Sequence, residues 1–202
     1  MNTIRETTDF RSHTERITLF IEECVEEAGL IMKDLNAVCI SSGPGSYTGL
    51  RIGASIAKGL CFALDIPLIS INSLACLLEA LPEKPEGKQI GLASIDARRQ
   101  EIYAMIQEKK SRSETLSIIL DHDNILNHKY HDNLLLLVGN GSEKCQDLLT
   151  HETQIITRQA SSRYMVEVAF NKYRVQNFND IITFSPYYHK KPNITLSKKR
   201  PF

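Results

Sequence analysis

The chain has 202 residues, 42% of them hydrophobic and 24% charged, so it can bury a core in one large domain or two small ones. Basic and acidic residues are equally numerous, 24 of each, and a chain without net charge has no overall field to attract nucleic acid. Any contact with RNA would therefore need a local basic patch or a partner protein.

Five cysteines, at positions 24, 39, 61, 76 and 145, form no CxxC pair, and four of them lie within apolar runs. This pattern predicts reduced core residues of a cytosolic protein. The chain opens with no signal-peptide pattern and contains no apolar run of membrane-spanning length. We therefore expect a soluble, cytoplasmic protein that makes no membrane contact.

The first predicted element is an amphipathic helix whose apolar residues recur on one face. Those residues are Ile17, Phe20, Ile21, Cys24, Val25 and Ala28. Ser12 followed by Glu15 is a capping-box pattern for the helix start, and Gly29 suits its end. Four glutamates, at positions 22, 23, 26 and 27, lie off the stripe. They form either a solvated face or a surface for a basic partner.

Two apolar runs, residues 36–43 and 66–72, predict buried strands on either side of a second helix. Residues 73–81 predict a short third helix with Ser73 as its N-cap. This alternation of strand and helix implies parallel strands joined by a right-handed crossover.

The first of these strands runs into a glycine-rich turn at residues 41–53, with the sequence SSGPGSYTGLRIG. A strand, a glycine turn and a helix can together direct backbone N–H groups at an anion. However, Thr48 replaces the third glycine of a dinucleotide fingerprint. Leu50 and Arg51 follow Gly49 where a P-loop has lysine and then serine or threonine. The pattern leaves two alternatives, a nucleotide loop and a shaped joint between strand and helix.

Within this turn we expect Gly45 to adopt a backbone geometry that other residues resist, and Ser46 or Thr48 to cap the helix. If the turn is a weak, degenerate nucleotide loop, its binding residues are Gly43, Gly45, Ser46, Thr48 and Gly49.

The second helix is rich in small residues that recur at four-residue spacing in two stripes. One stripe is Gly49, Gly53 and Ala57, and the other is Ser55, Gly59 and Ala63. Each glycine inside a helix costs about 1 kcal/mol relative to alanine, so three of them indicate a close approach by another backbone. That approach is either a tight internal core or a helix-to-helix contact with a second chain.

A surface loop at residues 81–88 is a predicted domain boundary, and beyond it the pattern changes to strands. Residues 89–109 predict two strands joined by a turn at residues 96–99. Residues 115–120 and 133–141 predict two more strands.

Residues 161–173 predict a last helix with Ser161 or Ser162 as its N-cap. Residues 190–202 are basic and contain proline, which predicts a loose tail. The predicted organisation is an N-terminal lobe at residues 1–82, a C-terminal lobe at residues 89–189, and this tail.

The segment at residues 41–74, which begins with SSGPGSYTGLRIG, closely resembles the TsaB (YeaZ) family. These are bacterial proteins needed to make threonylcarbamoyladenosine beside the anticodon of certain tRNAs. SIDARRQEIY at residues 94–103 and RSH at residues 11–13 also fit the family pattern. VGNGSEKC at residues 138–145 and SPYYHKKP at residues 185–192 are weaker matches.

The resemblance implies an α/β chain with the actin-like ATPase fold, shared with sugar kinases and Hsp70, built from two similar lobes. It also implies a non-catalytic subunit that is the obligate partner of the catalytic subunit TsaD. The ATPase TsaE would join the two in a larger complex, and tRNA would be contacted indirectly. Such a subunit would hold no cofactor tightly by itself, and any nucleotide would be bound only in the complex.

The family resemblance also assigns the TsaD interface to the first two helices. The interface residues that it implies are Ile17, Phe20, Ile21, Cys24, Arg51, Gly53, Ala57 and Leu60. A homodimer through the same helices is an alternative assembly. Arg51, Arg98 and Arg99 could present local positive charge to tRNA or nucleotide, or they could be ordinary exposed residues.

We predict no catalytic residue and no metal ligand. The catalytic relative carries an HxxxH pair, whereas the six histidines here, at 13, 122, 128, 131, 151 and 189, include no two that are four apart. The polar segment that holds His122, His128 and His131 is either a metal site or, as we prefer, a surface helix or loop. His13 is expected to be a structural hydrogen-bonding group beside the helix cap.

Members of the family open with a strand of the type ILxIDTS and a hairpin, and this chain starts at the segment that follows them. The resemblance therefore implies that about two strands are missing. Either the start codon is misassigned, which we prefer, or the chain is truncated.

Two other functions compete with the partner hypothesis. One is an enzyme of actin-like fold that binds ATP through residues 43–49 and acts on its own. The other is a self-sufficient homodimer with a separate role.

Overall fold

Two β-sheets of unequal size organise the chain in a computed structural model, which describes residues 3–7, 13–121, 123–150 and 152–190. The elements up to the domain boundary are α1 (His13–Glu27), β1 (Val38–Ser41), α2 (Tyr47–Leu64), β2 (Leu68–Ile71) and α3 (Ser73–Leu78). A short 3-10 helix, Met32–Asp34, lies between α1 and β1. The predicted order of helices and strands in this half is confirmed.

The first sheet consists of β1 and β2, which pair in parallel with Val38 opposite Leu68. The crossover helix α2 packs against this pair, and its residues Ala57 and Cys61 form a buried cluster with Leu68. The prediction of a parallel pair joined by a helix is therefore confirmed.

The second sheet is larger and mixed. Its strands are β3 (Gln89–Asp96), β4 (Glu101–Glu108), β5 (Ser111–Arg112), β6 (Leu116–Ile119), β7 (Leu134–Val138) and β8 (Thr153–Ile156). The central strand β3 is antiparallel to β4 and parallel to β7, and β8 extends the sheet in parallel beyond β7. Both β5 and β6 pair antiparallel with β4. The sequence predicted β3, β4, β6 and β7, whereas the two-residue β5 and the edge strand β8 were not predicted.

Both faces of the second sheet are buried. Successive residues of β7 alternate between two buried clusters, with Leu135 and Leu137 in one and Leu136 and Val138 in the other. The first cluster is completed by α4 (Ile125–Lys129) and α5 (Ser142–Gln146), through residues that include Leu126 and Cys145. The second cluster is completed by α3. This two-sided burial explains the continuous apolar run of β7.

After β8 the chain returns to the first sheet. It forms a 3-10 helix (Ser162–Met165) and then α6 (Val166–Arg174), where Lys172 Nζ donates to the carbonyl oxygen of Ser70 in β2 at 2.8 Å. Farther on, Asn179 forms an antiparallel bridge with Leu68. The predicted C-terminal lobe at residues 89–189 is therefore too long, because its last helix and the segment that follows pack on the N-terminal lobe.

Two predicted N-caps have different outcomes. The N-cap of α3 is Asn72, whose side-chain oxygen accepts from the backbone N–H groups of Leu74 at 2.8 Å and Ala75 at 3.3 Å. The prediction of Ser73 is wrong, and the Ser73 hydroxyl instead lies 2.6 Å from that of Ser41. Ser161 does cap the last helical segment, which is divided into a 3-10 turn and α6 rather than formed as one helix.

The end of α1 is as predicted. Gly29 has a φ of +71°, and the N–H of Leu30 donates to the carbonyl oxygen of Val25 at 3.1 Å, which closes the last turn. The predicted cap Ser12 lies outside the described residues, as does the tail at residues 190–202 beyond Lys190. In the described parts of the chain, no helix combines the length and apolar character that crossing a membrane requires.

The cysteines are unpaired, and three of them, Cys61, Cys76 and Cys145, are buried. Burial raises the pKa of the Cys145 thiol to about 12 and that of Cys76 to about 11. Half-buried Cys39 on β1 lies near α6, and desolvation there raises its pKa to about 12 as well. The prediction of reduced core cysteines agrees with these positions.

At pH 8, a thiol with a pKa near 12 is ionised in about one molecule in ten thousand, so its reaction with a thiol reagent should be very slow. We expect Cys24 to be labelled first in the native protein, and Cys39 and Cys145 to be labelled only after unfolding in urea or at much higher pH. Mass spectrometry of peptides after timed labelling measures this order. Rapid labelling of Cys39 at pH 8 would contradict the packing of α6 over the first sheet.

Candidate functional site

The glycine turn between β1 and α2 is held in place by backbone hydrogen bonds from two distant parts of the chain. The carbonyl oxygen of Ser42 accepts from the N–H of Tyr187 at 2.7 Å. The carbonyl oxygen of Gly43 accepts from the N–H of Ser73 at 2.9 Å. The turn is therefore the junction of the first sheet, α3 and the returning C-terminal segment.

At this junction, Gly43 is the residue that must be glycine. Its φ is +101°, and a Cβ added there would lie 2.6 Å from the carbonyl oxygen of Tyr187. Gly45, for which we predicted a special geometry, is exposed and has no positive φ, so that prediction is corrected. The peptide bond between Gly43 and Pro44 is cis.

The start of α2 is capped by Ser46, one of the two predicted candidates. Its hydroxyl oxygen accepts from the N–H of Gly49 at 3.3 Å, and its carbonyl oxygen accepts from the N–H of Leu50 at 2.9 Å. Thr48 and Gly49 are exposed in the first turn of the helix. Of the five predicted nucleotide-loop residues, Ser46 and Gly43 therefore have observed structural roles.

The two cations of α2 are engaged differently. The guanidinium carbon of exposed Arg51 lies 4.2 Å from the centre of the Tyr47 ring, a cation–π contact. Lys58 donates to the carbonyl oxygens of Ile182 at 3.2 Å and Phe184 at 3.1 Å. Arg51 is therefore the α2 cation beside the turn, and it lies over an aromatic ring.

One face of α2 packs on the first sheet. Ala54, Ala57 and Cys61 are buried, and a Cβ added to Gly53 would lie 3.5 Å from the side chain of Ile40 in β1. Ala57 is only 4% exposed, so it lies in the core of its own chain and not on a surface where a partner could touch it. Its assignment to the partner interface is corrected.

The opposite face of α2 is open. Ser55, Gly59 and Ala63, the second stripe of small residues, are exposed, and a Cβ added to Gly59 would meet no atom within 4 Å. Phe62 on this face is 80% exposed. Phe62 was not predicted as a site residue, although it follows buried Cys61 by one position and therefore points away from the buried side of the helix. We call Ser55, Gly59, Phe62 and Ala63 the open face of α2.

The predicted interface residues of α1 are half-buried, and α1 is in contact with α2. Ile17 and Phe20 line a cleft of about 840 Å³ together with residues 157–164. Ile21 and Cys24 are half-buried farther along the helix. On α2, Leu60 is half-buried and Arg51 is exposed.

The acidic face of α1 is partly neutralised within the chain. Arg5 forms ion pairs with Glu23, at 2.9 Å, and with Glu27. Glu22 and Glu26 are exposed. Two of the four carboxylates are therefore engaged by the chain's own N-terminal segment, and two face solvent.

A second cationic site lies at the turn between β3 and β4. Arg98 and Arg99 are exposed, with φ values of 70° and 53°, in the left-handed region that such residues seldom adopt. Partial burial acts to raise the pKa of Asp96, but hydrogen bonds from Lys144 and from the N–H of Arg98 outweigh it and lower that pKa. Lys144 also donates to the carbonyl oxygen of Arg99 at 2.7 Å, which ties the turn to α5.

Within the histidine-bearing segment, Ile125–Lys129 form the short helix α4, which contains His128, and His131 is exposed just beyond it. His128 Nε2 lies 2.8 Å from Asp123 Oδ1, and both side chains are exposed. In the part of the chain that the structure describes, no three His, Cys, Asp or Glu side chains are placed to hold a metal ion. His122 and His151 lie outside the described residues, as does the side chain of His13.

Comparison with known proteins identifies relatives over part of the chain. Residues 7–133 match the family described as TsaD: tRNA N6-adenosine threonylcarbamoyltransferase. The chain is 39% identical over 105 residues to the tRNA threonylcarbamoyladenosine biosynthesis protein TsaB of Haemophilus influenzae, covering 52% of the chain and 44% of that protein. It is 37% identical over 93 residues to the Escherichia coli protein of the same name, covering 46% and 40%. The chain thus spans less than half the length of the curated relatives it matches.

Among solved structures, the fold is similar to that of an uncharacterized Pseudomonas aeruginosa protein described as similar to peptidase YEAZ. The TM-score is 0.69 at 20% sequence identity, and the match covers 88% of this chain and 84% of that one. The expectation of an actin-like α/β fold is confirmed.

Replacing Gly43 with alanine should lower the free energy of unfolding by about 3 kcal/mol, because the new methyl group meets the Tyr187 carbonyl at an unfavourable φ. The matched control is Gly45→Ala, two residues away and exposed, which should change stability by less than about 0.5 kcal/mol. Urea denaturation followed by circular dichroism measures both. Equal stability of the two variants would show that the turn does not depend on this close approach.

Proposed function

This chain belongs to the TsaD (tRNA N6-adenosine threonylcarbamoyltransferase) family, in its TsaB (YeaZ) group, and from that premise we propose that it is a non-catalytic subunit in tRNA threonylcarbamoyladenosine synthesis. Its partner is a TsaD-type catalytic subunit. TsaE joins the pair in a larger complex, and tRNA is reached through the assembly.

The open face of α2 carries this proposal. A helix with three glycines is poorly stabilised by its own backbone, and its open face is not covered by the described part of the chain. Small residues at Ser55, Gly59 and Ala63 let a second helix approach closely, as the bare space beside Gly59 illustrates. Phe62 provides a large apolar group that a partner would desolvate.

The glycine turn supports a non-catalytic role because its groups are used to build the fold. The Ser46 hydroxyl caps α2, and the carbonyl oxygens of Ser42 and Gly43 accept hydrogen bonds from distant segments. Arg51, the α2 cation beside the turn, lies over the Tyr47 ring. We therefore interpret the turn as a shaped joint that begins an interface helix.

The first test is association with a purified TsaD protein, followed by light scattering and calorimetry. Gly59→Leu should weaken binding at least about ten-fold, because its side chain occupies the space left for the partner. The substitution raises helix propensity, so the monomer should stay folded. Phe62→Ala should weaken binding by about 2 kcal/mol through loss of an apolar anchor.

The matched control for Phe62→Ala is Phe170→Ala, which removes a phenylalanine that is 60% exposed on α6. That variant should bind TsaD like the native chain. If Gly59→Leu and Phe62→Ala are folded and still bind TsaD normally, α2 is not the contact. A light-scattering mass of two copies that TsaD does not change would favour the homodimer instead.

The enzyme alternative is tested by calorimetry of the isolated chain with ATP and Mg²⁺. We expect no binding in the micromolar range, because no lysine accompanies the turn to balance a terminal phosphate. The same titration is repeated with the TsaD complex, where a nucleotide held by both subunits would appear as new heat. Micromolar affinity with turnover in the isolated chain would favour an independent enzyme.

A further inference from the structure

Five aromatic side chains gather where the two sheets meet, and nothing in the proposed partner contact uses them. They are Tyr47, Tyr103, Tyr187, Tyr188 and His189, which we call the aromatic patch. The rings of Tyr47 and Tyr188 lie 4.9 Å apart, centre to centre. His189 lies 5.4 Å from Tyr103 and 5.6 Å from Tyr187 in edge-to-face contacts. The rings thus form two groups, Tyr47 with Tyr188, and His189 with Tyr103 and Tyr187. The two groups are linked because residues 187–189 are consecutive in the chain.

The patch spans both halves of the fold. Tyr47 opens α2 directly after the glycine turn, whereas Tyr103 lies in β4 of the second sheet. The segment that carries the other three rings is anchored at the turn by the hydrogen bond from Tyr187 N–H to Ser42. Tyr47 and Tyr187 keep 38% and 45% of their surface exposed, so these two rings remain accessible to a ligand, and the other three are half-buried beside them.

Cations lie directly on these rings. The Arg51 guanidinium lies over Tyr47 at 4.2 Å, and Lys190 Nζ lies 5.9 Å from the centre of the Tyr103 ring. Lys190 also pairs with Glu101, so its charge is largely balanced. Arg51 forms no ion pair with any residue that the structure describes.

Further positive charge borders the patch along the chain. Arg98 and Arg99 lie at the turn that leads into β4, a few residues before Tyr103, and the acid of that turn, Asp96, is paired with Lys144. Exposed arginines therefore lie over Tyr47 and, along the chain, a few residues before Tyr103.

We propose that the aromatic patch binds unpaired bases of an RNA loop. This inference deepens the proposed function by giving the subunit a direct contact with RNA. Exposed rings accept stacked bases, and neighbouring arginines bind the phosphates between them, which is how proteins recognise single-stranded RNA. An acidic protein would use the cations alone and would leave the aromatic rings without a role. Paired RNA hides its bases, so loops are preferred over duplexes.

The chain has no tryptophan, which provides a direct test. Tyr47→Trp places a single indole in the patch. The matched control is Tyr173→Trp, which places an indole on α6 beside the ring of Phe178. The probe is a short RNA hairpin with an unpaired loop, compared with the fully paired duplex of its stem. Stacking should quench the indole at position 47 with the hairpin, and the control indole should keep its fluorescence.

Affinity is measured by anisotropy of the labelled hairpin. Tyr188→Leu should weaken binding about ten-fold, and Arg51→Gln should weaken binding and reduce its salt dependence. Lys110→Gln, which removes an exposed cation in the turn between β4 and β5, should change little. Circular dichroism checks that each variant is folded.

Each titration is made with the isolated chain and again with its TsaD complex. The proposal is overturned if the hairpin quenches the indole at position 47 neither in the isolated chain nor in the TsaD complex. It is also overturned if hairpin and duplex bind equally well. Tighter binding of a polyglutamate peptide than of the hairpin would also overturn it, in favour of an acidic partner. If TsaD binds but the hairpin does not, only the RNA contact fails; if the hairpin binds but TsaD does not, only the proposed function fails.

Discussion

The close approach of two backbone segments at Gly43 is the constraint on which the rest of the N-terminal half depends. The carbonyl of Tyr187 occupies the space where any other residue would carry its Cβ, and the neighbouring Ser42 carbonyl accepts the N–H of Tyr187. These contacts set the direction in which α2 leaves the first sheet. They also fix the segment that carries three members of the aromatic patch.

The same constraint divides α2 into two faces with different roles. Its buried face contacts β1 and β2 through small residues such as Ala57, because the helix lies close to its own strands. Its open face consists of small residues and one exposed phenylalanine, with nothing from the described chain over it. The small residues of this helix therefore allow close packing on two sides. On one side the helix packs against its own strands, and on the other side a partner helix could pack.

The two sheets are connected by contacts of the helices α3 and α6 as well as by the path of the chain. α3 belongs to the first half by chain order, yet it completes a buried cluster of the second sheet, while its first N–H holds the glycine turn. α6 makes the reverse crossing, from the second half back to β2. A surface at this junction, such as the aromatic patch, is held by both halves at once. Rigid positioning of rings and cations lowers the entropy lost when a flexible RNA loop binds.

Local patterns in the sequence were enough to predict α1, α2, the parallel pair β1 and β2, and the central strands of the second sheet, because their periodicity reflects one-sided or two-sided burial. The glycine motif was specific enough to indicate the family and, with it, the actin-like fold. Even the requirement that RNA contact needs a local basic patch followed from the neutral composition alone.

Tertiary structure decided the features that depend on residues far apart in the chain. Whether Gly43 or Gly45 needs to be glycine is decided by Tyr187, more than a hundred residues later, whose carbonyl no local pattern could place. Ala57 and Gly59 look equivalent in sequence, and only the position of the first sheet makes one a core residue and the other an open surface. The aromatic patch brings together residues 47, 103 and 187–189, because contacts between side chains follow from the folded path and not from sequence spacing.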